Sequence, residues 1–286
     1  MLERMNQLPI ETRARILSCL VEGVSIRGTA RLCGVCISSV VKIQIEAGQA
    51  CAEFQDRTFR NLSCRRLECD EIWSFVGAKE KNASEEKKVK GWGDVWTWTA
   101  IDADSKLIPC WHVGTRDAGA AYEFMQDLAS RLAHRVQLTT DGYRPYLQAV
   151  EEAFGSEIDY ATLTKIYGEG PKTEARYSPA HCCGTRLTVR SGRPDAAKIS
   201  TSYVERQNLN IRMGMRRFTR LTNAFSKKLE NHGHALALYF MHYNFCRIHT
   251  TLRVTPAMQA GVADRVWEMA DVVRMLDSFL IEQTAA

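Results

Sequence analysis

Two strand-like runs in this chain each carry an aspartate, and a glutamate follows in a helical segment. Asp70 lies in Arg-Leu-Glu-Cys-Asp-Glu-Ile-Trp-Ser-Phe (66–75), and Asp141 ends Val-Gln-Leu-Thr-Thr-Asp (136–141). Glu205 lies in Ser-Tyr-Val-Glu-Arg-Gln-Asn (202–208), which reads as a helix turn among cations. Because sites in open α/β sheets form at the carboxyl ends of the strands, the pattern predicts that the three acids meet there.

The rest of the chain alternates strand and helix patterns. Three strands, a helix, a strand, a helix and a fifth strand are followed by helices, which predicts an α/β fold with a five-stranded mixed sheet and flanking helices. Residues 167–200 are rich in Gly, Pro and Arg and are interpreted as a loop or insertion. The predicted strands are 66–76, 95–101, 107–113, 136–140 and 158–166, and the predicted helices are 117–135, 144–154, 201–216, 223–247 and 256–281.

Residues 10–50 read as three short helices. Ser25 is a plausible N-cap for the second helix, Gly34 supplies the turn, and the third helix opens at Ser38 or Ser39. This order is typical of a helix-turn-helix, although generic three-helix packing gives the same pattern. In a helix-turn-helix the start of the third helix enters the DNA major groove. The residues expected to face DNA there are Ser38, Ser39 and Lys42.

Charge is unevenly distributed along the 286 residues, whose net charge is +5. Residues 160–230 hold 14 Lys and Arg against 5 Asp and Glu. A basic block of this kind is the footprint of a polyanion partner, and a solvated surface is the alternative interpretation. The N-terminal residues lack a secretory signal and the longest apolar run, 235–241, is too short for a bilayer, so we expect a cytoplasmic protein.

The ten cysteines do not form an obvious zinc set. Cys33 and Cys36 form a CxxC, but no second close pair with matching spacing follows, whereas a structural zinc site needs four ligands. Buried thiols in a reducing cytosol are the favoured interpretation, and zinc at Cys33 and Cys36 is left open.

Phosphodiester transfer requires neutralisation of charge on the attacking and leaving oxygens, which two Mg²⁺ ions can supply. Mg²⁺ prefers oxygen ligands and keeps several waters, so a few carboxylates suffice. Asp70, on a central strand, suits a bridging ligand, and the next residue, Glu71, is expected on the opposite face. Asp141 precedes Gly142 at a strand end. Each acid alone has an ordinary structural explanation, and the competing acids Asp94, Asp102 and Asp104 are interpreted as turn residues.

Cations surround Glu205, which is the only acid between Lys198 and Arg220. Arg212 lies two helical turns after Glu205 on the same helix face, where a cation would contact a phosphate backbone. The other nearby cations would add salt-sensitive affinity for DNA, and an exposed solubilising helix is the alternative. The residues predicted to bind DNA here are Arg206, Asn208, Arg212, Arg216, Arg217, Arg220 and Lys227.

The three acidic segments together resemble the bacterial DDE transposases, and the insertion-sequence-one family in particular. The resemblance rests on Asp-Glu-Ile-Trp-Ser-Phe-Val-Gly-Ala-Lys (70–79), Thr-Thr-Asp-Gly-Tyr (139–143) and Tyr-Val-Glu-Arg-Gln-Asn-Leu (203–209). Tyr-Asn-Phe-Cys-Arg-Ile-His-Thr-Thr-Leu (243–252), followed by Thr-Pro-Ala-Met (255–258), looks like the C-terminal end of many such enzymes. The similarity extends from about residue 66 to about residue 260.

The resemblance implies a ribonuclease H-like catalytic domain over residues 61–250 with an insertion near 167–200. A helix-turn-helix domain would occupy residues 1–60 and a helical tail residues 251–286. It further implies a metal-binding triad, for which the chemistry of phosphodiester transfer predicts two ions of Mg²⁺ or Mn²⁺. The implied triad is Asp70, Asp141 and Glu205.

The resemblance also implies an activity, namely cleavage at transposon ends and strand transfer into target DNA. The partners would be double-stranded DNA and further copies of the chain during synapsis, in the bacterial nucleoid and without a membrane. Two alternatives are kept: a DNA-binding regulator derived from a transposase that lacks catalysis, and a structure-selective nuclease of the same fold.

Overall fold

The structure is a computed structural model that describes residues 7–168, 182–219 and 223–285. The helices are α1 Ile10–Val21, α2 Ile26–Cys33, α3 Ile37–Thr58, α4 Glu85–Val89, α5 Ala118–Arg131, α6 Pro145–Phe154, α7 Ser202–Gly214, α8 Leu229–Met241, α9 Pro256–Gln259 and α10 Met269–Ala285. The strands are β1 Arg66–Val76, β2 Gly93–Asp102, β3 Trp111–Gly114, β4 Val136–Thr140, β5 Ile158–Tyr167 and β6 Cys182–Ser191.

The strands form one six-stranded sheet in the order β3-β2-β1-β4-β5-β6. β1 pairs with β4 and β4 with β5 in parallel, whereas β5 and β6 run antiparallel. The α/β class and the mixed sheet with flanking helices are therefore confirmed. This arrangement is compatible with the predicted ribonuclease H-like architecture.

The number of strands differs from the prediction, which gave five. The sixth strand, β6, lies inside the segment interpreted as a loop or insertion, and residues 169–181 of that segment lie outside the described residues. Most residues of β6 are exposed, and these include the apolar Leu187 and Val189 as well as the flanking Arg186 and Arg190. A strand that buries neither face has no polar–apolar alternation, so the sequence pattern did not reveal it.

The strands nearest the predicted site pack beneath α5 and α6. Trp98 of β2 is fully buried and contacts Phe124 of α5 and Tyr146 of α6, with ring centroids 6.1 Å and 5.3 Å away. α5 begins where the Asp117 carboxylate accepts a hydrogen bond from Ala120 N at 3.0 Å. Large aromatic side chains thus hold both helices against the sheet and fix the position of the segments that precede them.

The N-terminal helices follow the predicted order. Ser25 caps α2 by accepting a hydrogen bond from Gly28 N at 3.0 Å. α2 ends at Gly34, whose φ of 66° is left-handed and favours glycine. α3 begins at Ile37, one residue earlier than predicted, and makes an angle of 110° with α2. A short Gly-containing turn with this angle is typical of a helix-turn-helix.

The described residues cluster into two compact units. One contains the N-terminal helices, residues 73–96 and the chain from Asn208 onward, and in it α3 packs against α8 and α1 against α10. Arg13 pairs there with Asp277 at 2.5 Å. The other unit contains residues 61–72 and 97–207. The predicted domain boundaries at residues 60 and 250 stay predictions.

Among the described residues, no single helix is both long enough and apolar enough to cross a membrane. The pair α2 and α3, taken together, reaches the required length and hydropathy but is bent at its break by the 110° noted above.

Candidate metal centre

Asp70 and Asp141 lie side by side at the point where β1 and β4 stop pairing. The last paired residues are Cys69 on β1 and Thr140 on β4. Asp70 directly follows Cys69, and Asp141 directly follows Thr140. Because the two strands are parallel and in this register, residues 71 positions apart in sequence lie side by side where β4 ends, although β1 continues to Val76. The structure thus brings together two of the three acids that the sequence singled out.

Glu71 joins these two aspartates. One carboxylate oxygen from each of Asp70, Glu71 and Asp141 lies within 4.8 Å of the others, and these three acids could hold a metal ion. The expectation that Glu71 faces away from the site is wrong. Asp70 Oδ1 accepts a hydrogen bond from Glu71 N at 2.9 Å, so its carboxylate turns along the strand toward its neighbour.

The turn after Asp141 is held close to β5. Asp141 Oδ1 accepts a hydrogen bond from Tyr143 N at 2.8 Å, which closes a turn around Gly142. A Cβ at Gly142 would lie 2.5 Å from Thr164 Oγ1, so this position requires the absence of a side chain. Glycine here allows the carboxylate-bearing turn to lie directly on the neighbouring strand.

Burial and the proximity of other carboxylates raise the pKa values of Asp70 and Glu71. Burial raises the pKa of Asp70 to about 7, and the charges of Glu71, Asp141 and Glu205 add to this effect. Burial and the charge of Asp141 likewise raise the pKa of Glu71, whereas the Arg116 guanidinium lowers it. Carboxylates gathered this way repel one another when ionised, and a cation among them would relieve that repulsion.

Glu71 has partners of its own, which sequence reasoning missed. Arg116 donates from Nε to Glu71 Oε1 at 2.6 Å, and Tyr146 donates its hydroxyl to Oε2 at 3.1 Å. The Arg116 guanidinium also stacks 4.1 Å from the ring centroid of Tyr143, whose hydroxyl donates to Arg116 O at 2.7 Å. Both oxygens of Glu71 are therefore engaged, and Arg116 balances its charge.

Glu205 lies on α7 beside this group but outside it. Its carboxylate forms an ion pair with Lys165 of β5 and accepts a hydrogen bond from Thr201 Oγ1 at 2.8 Å. Its charge nevertheless contributes to the raised pKa of Asp70. Its assignment as the third metal ligand stays a prediction.

Glu68 on β1 anchors the helix that carries Glu205. Its carboxylate oxygen Oε2 accepts hydrogen bonds from Tyr203 N at 2.8 Å and Val204 N at 3.1 Å, at the start of α7. These are donors that a helix N-terminus leaves unpaired, and the helix dipole favours an acid there. No sequence signal distinguished Glu68, because its role depends on a helix 135 residues later.

The residues predicted to bind DNA occupy different environments. Asn208 is buried, and Arg217 donates to partners inside its own compact unit, so neither stands on an open surface; Arg220 lies outside the described residues. The DNA contacts themselves stay predictions. Those that are exposed are Ser38, Lys42, Arg206, Arg216 and Lys227, and those that are half-buried are Ser39, Arg212 and Arg217.

No disulfide joins any of the cysteines, all of which lie among the described residues. Among the described residues the one group with metal-ligand spacing is the acidic group already named, so Cys33 and Cys36 belong to no such group there. Several of the thiols are buried in the protein. Burial raises the pKa of the Cys69 and Cys110 thiols well above the usual value.

The fold and the site define an α/β protein with an acidic group where β4 ends beside the middle of the adjacent parallel strand β1. No family model matches the chain, and no curated protein matches it.

Proposed function

We propose that this chain is a transposase of the insertion-sequence type, with a ribonuclease H-like catalytic domain that cuts and joins DNA strands. The observation that carries the proposal is the adjacency of Asp70, within β1, and Asp141, directly after β4, with ligand oxygens within 4.8 Å. Glu205 would complete the set from α7, which Glu68 fastens to β1.

The donor set fits a hard divalent cation. All candidate ligands are carboxylate oxygens, which suit Mg²⁺ or Mn²⁺ rather than zinc. Burial is the main cause of the raised pKa of Asp70, and the neighbouring carboxylates add to it, which a bound cation would offset. Two such ions, when bound, would supply charge neutralisation on the attacking and leaving oxygens of a phosphodiester.

The protein's own groups would orient the reaction. Asp70 and Asp141 would present oxygens from rigid neighbouring strands, and Glu205 would approach from the helix above the strand ends. Arg116 would hold Glu71 in place and keep that carboxylate from repelling the incoming phosphate. The exposed cations Arg206 and Arg216 would bind the DNA backbone in a salt-sensitive manner.

Double-stranded DNA is the proposed partner, recognised in part by α2 and α3. Their 110° crossing and short turn support a helix-turn-helix role, in which the exposed Ser38 and Lys42 would face the major groove. Pairing two transposon ends requires at least two copies of the enzyme, so we propose a homo-oligomer during the reaction.

One observation favours the alternative of a DNA-binding regulator without catalysis. Lys165 already neutralises Glu205 through an ion pair, which a catalytic carboxylate would have to give up. Both side chains are about one-third exposed, at 32% and 38%, so the pair is weak and solvent can replace it. We therefore prefer the transposase.

Nicking of supercoiled plasmid DNA with Mg²⁺ or Mn²⁺ tests the choice. Asp141→Asn, Asp70→Asn and Glu205→Gln should each abolish nicking while DNA binding in a gel-shift assay persists. Glu151→Gln, an exposed acid on α6, is the matched control and should nick like the wild type. Full activity in any triad variant would exclude the triad, and an inactive wild type that still binds DNA would favour the regulator.

A further inference from the structure

A cavity of about 610 Å³ lies within the compact unit that contains the N-terminal helices. Its walls come from α1, α2, α3 and α8 and from the segments around residues 215–217 and 223–227. The volume falls in the range of small-molecule sites. Four cations and no carboxylate are found among its described lining residues, and these cations are Arg27, Arg216, Arg217 and Lys227.

Arg217 is the unusual member of this lining. It donates from Nη1 to Ser226 Oγ at 2.5 Å and from Nη2 to Gln44 Oε1 at 3.1 Å, and both acceptors are neutral. Among the described residues no carboxylate pairs with it, and burial lowers its pKa to about 10. Charges withdrawn from water in proteins are normally paired, so a half-buried guanidinium that lines a cavity without a counter-charge indicates an anionic ligand.

A buried chain of hydrogen bonds holds Arg217 in position. Ser226 Oγ accepts from Arg217 and lies 3.2 Å from His232 Nδ1, and His232 Nε2 lies 3.3 Å from Ser74 Oγ. Ser74 donates in turn to Val95 O at 3.2 Å. Every group in this series of hydrogen bonds donates to the next one if the Ser226 hydroxyl donates to His232 Nδ1 and His232 Nε2–H donates to Ser74 Oγ. The guanidinium is therefore preorganised, and little ordering is needed when an anion binds.

The remaining walls are apolar and aromatic. Phe225 and Tyr239 line the cavity together with aliphatic side chains of α1 and α3, and Gln44 and Asn231 add amide groups. A small inorganic anion would leave this apolar surface without contacts. A phosphate attached to a flat, partly apolar ring with hydrogen-bonding edges would use the cations, the amides and the aromatic walls at once.

We propose that this cavity binds a nucleotide through its phosphate group, with Arg217 as the main contact and Arg216 and Lys227 at the opening. The anion site is independent of the catalytic proposal. The choice of a nucleotide over another organic anion rests on the proposed function, because a protein that handles DNA meets nucleotide phosphates. Two sources share this chemistry, a nucleotide within a DNA strand and a free nucleotide.

Isothermal titration calorimetry of the full chain with deoxyadenosine 5′-monophosphate, without divalent metal, tests the site. The wild type should bind the monophosphate at least about tenfold more tightly than deoxyadenosine, because a charge-assisted hydrogen bond contributes on that scale. It should also bind the monophosphate more tightly than inorganic phosphate at equal ionic strength. Absence of binding to the monophosphate would overturn the proposal.

Variants locate the binding. Arg217→Gln should weaken affinity about tenfold or more, and Arg217→Lys should recover part of it. If Arg217→Gln does not fold, the double variant Arg216→Gln/Lys227→Gln replaces exposed side chains and should weaken affinity by several-fold. Arg186→Gln, an exposed cation on β6, is the matched control and should bind like the wild type. Unchanged affinity in the cavity variants would place the ligand elsewhere and overturn the assignment.

Competition separates the two sources. A single-stranded oligodeoxynucleotide that displaces the monophosphate in the wild type supports a nucleotide of DNA, and one that does not supports a free nucleotide. Equal affinity for deoxyadenosine and its monophosphate would overturn the phosphate assignment. Loss of plasmid nicking in Asp141→Asn with intact monophosphate binding would keep the two proposals distinct, since the cavity and the acidic group belong to different compact units.

Discussion

Glu68 on β1 accepts a hydrogen bond from the backbone N–H of Tyr203, 2.8 Å away, and so ties the start of α7 to the central sheet. A second bond from Val204 N reaches the same carboxylate oxygen at 3.1 Å. The glutamate is buried, and burial raises its pKa although both bonds lower it. This contact determines where the helix that carries Glu205 begins.

Removal of that anchor should destabilise the protein. Glu68→Ala leaves the buried N–H of Val204 and the partly buried N–H of Tyr203 without an acceptor, which should lower the free energy of unfolding by about 2 kcal/mol. Glu68→Gln retains an acceptor oxygen and should cost about 1 kcal/mol. Urea unfolding measures both, and the exposed Glu151→Ala should stay within about 0.5 kcal/mol of the wild type. A loss as small in Glu68→Ala as in the control would contradict the anchoring role.

Divalent cations should stabilise the protein through the acidic group. At pH 8, saturating Mg²⁺ or Mn²⁺ should raise Tm by about 5 °C, because a ligand that binds only the folded state stabilises it by mass action. Asp70→Asn and Asp141→Asn should lose this shift, and Glu151→Gln should retain it. Differential scanning calorimetry with and without the metal measures this change in Tm. An equal change in the aspartate variants would mean that the ion binds elsewhere.

The same titration identifies the third ligand. Glu205→Gln should reduce the metal-induced shift strongly, since the Lys165 ion pair is exposed enough to yield to a metal. Glu71→Gln should retain most of the shift, because Arg116 and Tyr146 already engage both of its oxygens. If Glu71→Gln lost more of the metal-induced shift in Tm than Glu205→Gln, Glu71 would be the metal ligand and Glu205 would not.

His232 predicts a specific pH dependence of stability. Burial, together with the charge of Arg217, lowers its pKa to about 3, against about 6.5 in an unfolded chain. Below pH 6.5 the unfolded chain takes up a proton that the folded chain excludes, so stability is lost as pH falls. Between pH 7 and pH 5 this group should remove about 2 kcal/mol.

Comparison with a variant isolates that effect from the carboxylates. The wild type should lose about 2 kcal/mol more than His232→Gln between pH 7 and pH 5, as measured by urea unfolding at each pH. Equal losses in the two proteins would show that the imidazole is not held neutral in the folded state.

The close approach of Gly142 to Thr164 can be tested by a double-mutant cycle. Gly142→Ala should lower the free energy of unfolding by about 1–2 kcal/mol, because the new Cβ would lie 2.5 Å from Thr164 Oγ1 on a stiff β-branched side chain. Thr164→Ala removes that atom, so the double variant should recover most of the loss. Gly119→Ala, where the nearest atom is 3.4 Å away, should not destabilise. Simple additivity of the two changes would argue against the contact.

The sequence alone determined the type and order of most elements. Apolar periodicity located β1, β4 and α5 within a few residues, and Ser25 and Gly34 marked the ends of α2 because their roles are local. The same local pattern placed Asp141 directly after β4, whereas Asp70 lies within β1, which continues to Val76. β6 was not predicted, because an exposed strand lacks the alternation of polar and apolar residues that burial of one face imposes.

Only the tertiary structure decided which side chains meet. The register that pairs Cys69 with Thr140 places Asp70 beside Asp141, and no local pattern specifies a register between strands about 70 residues apart. The same is true of Glu71 with Arg116 and of Lys165 with Glu205, whose partners come from different elements. Propensity and periodicity act over a few residues, whereas the charge balance of this site depends on contacts that exist only once the sheet has formed.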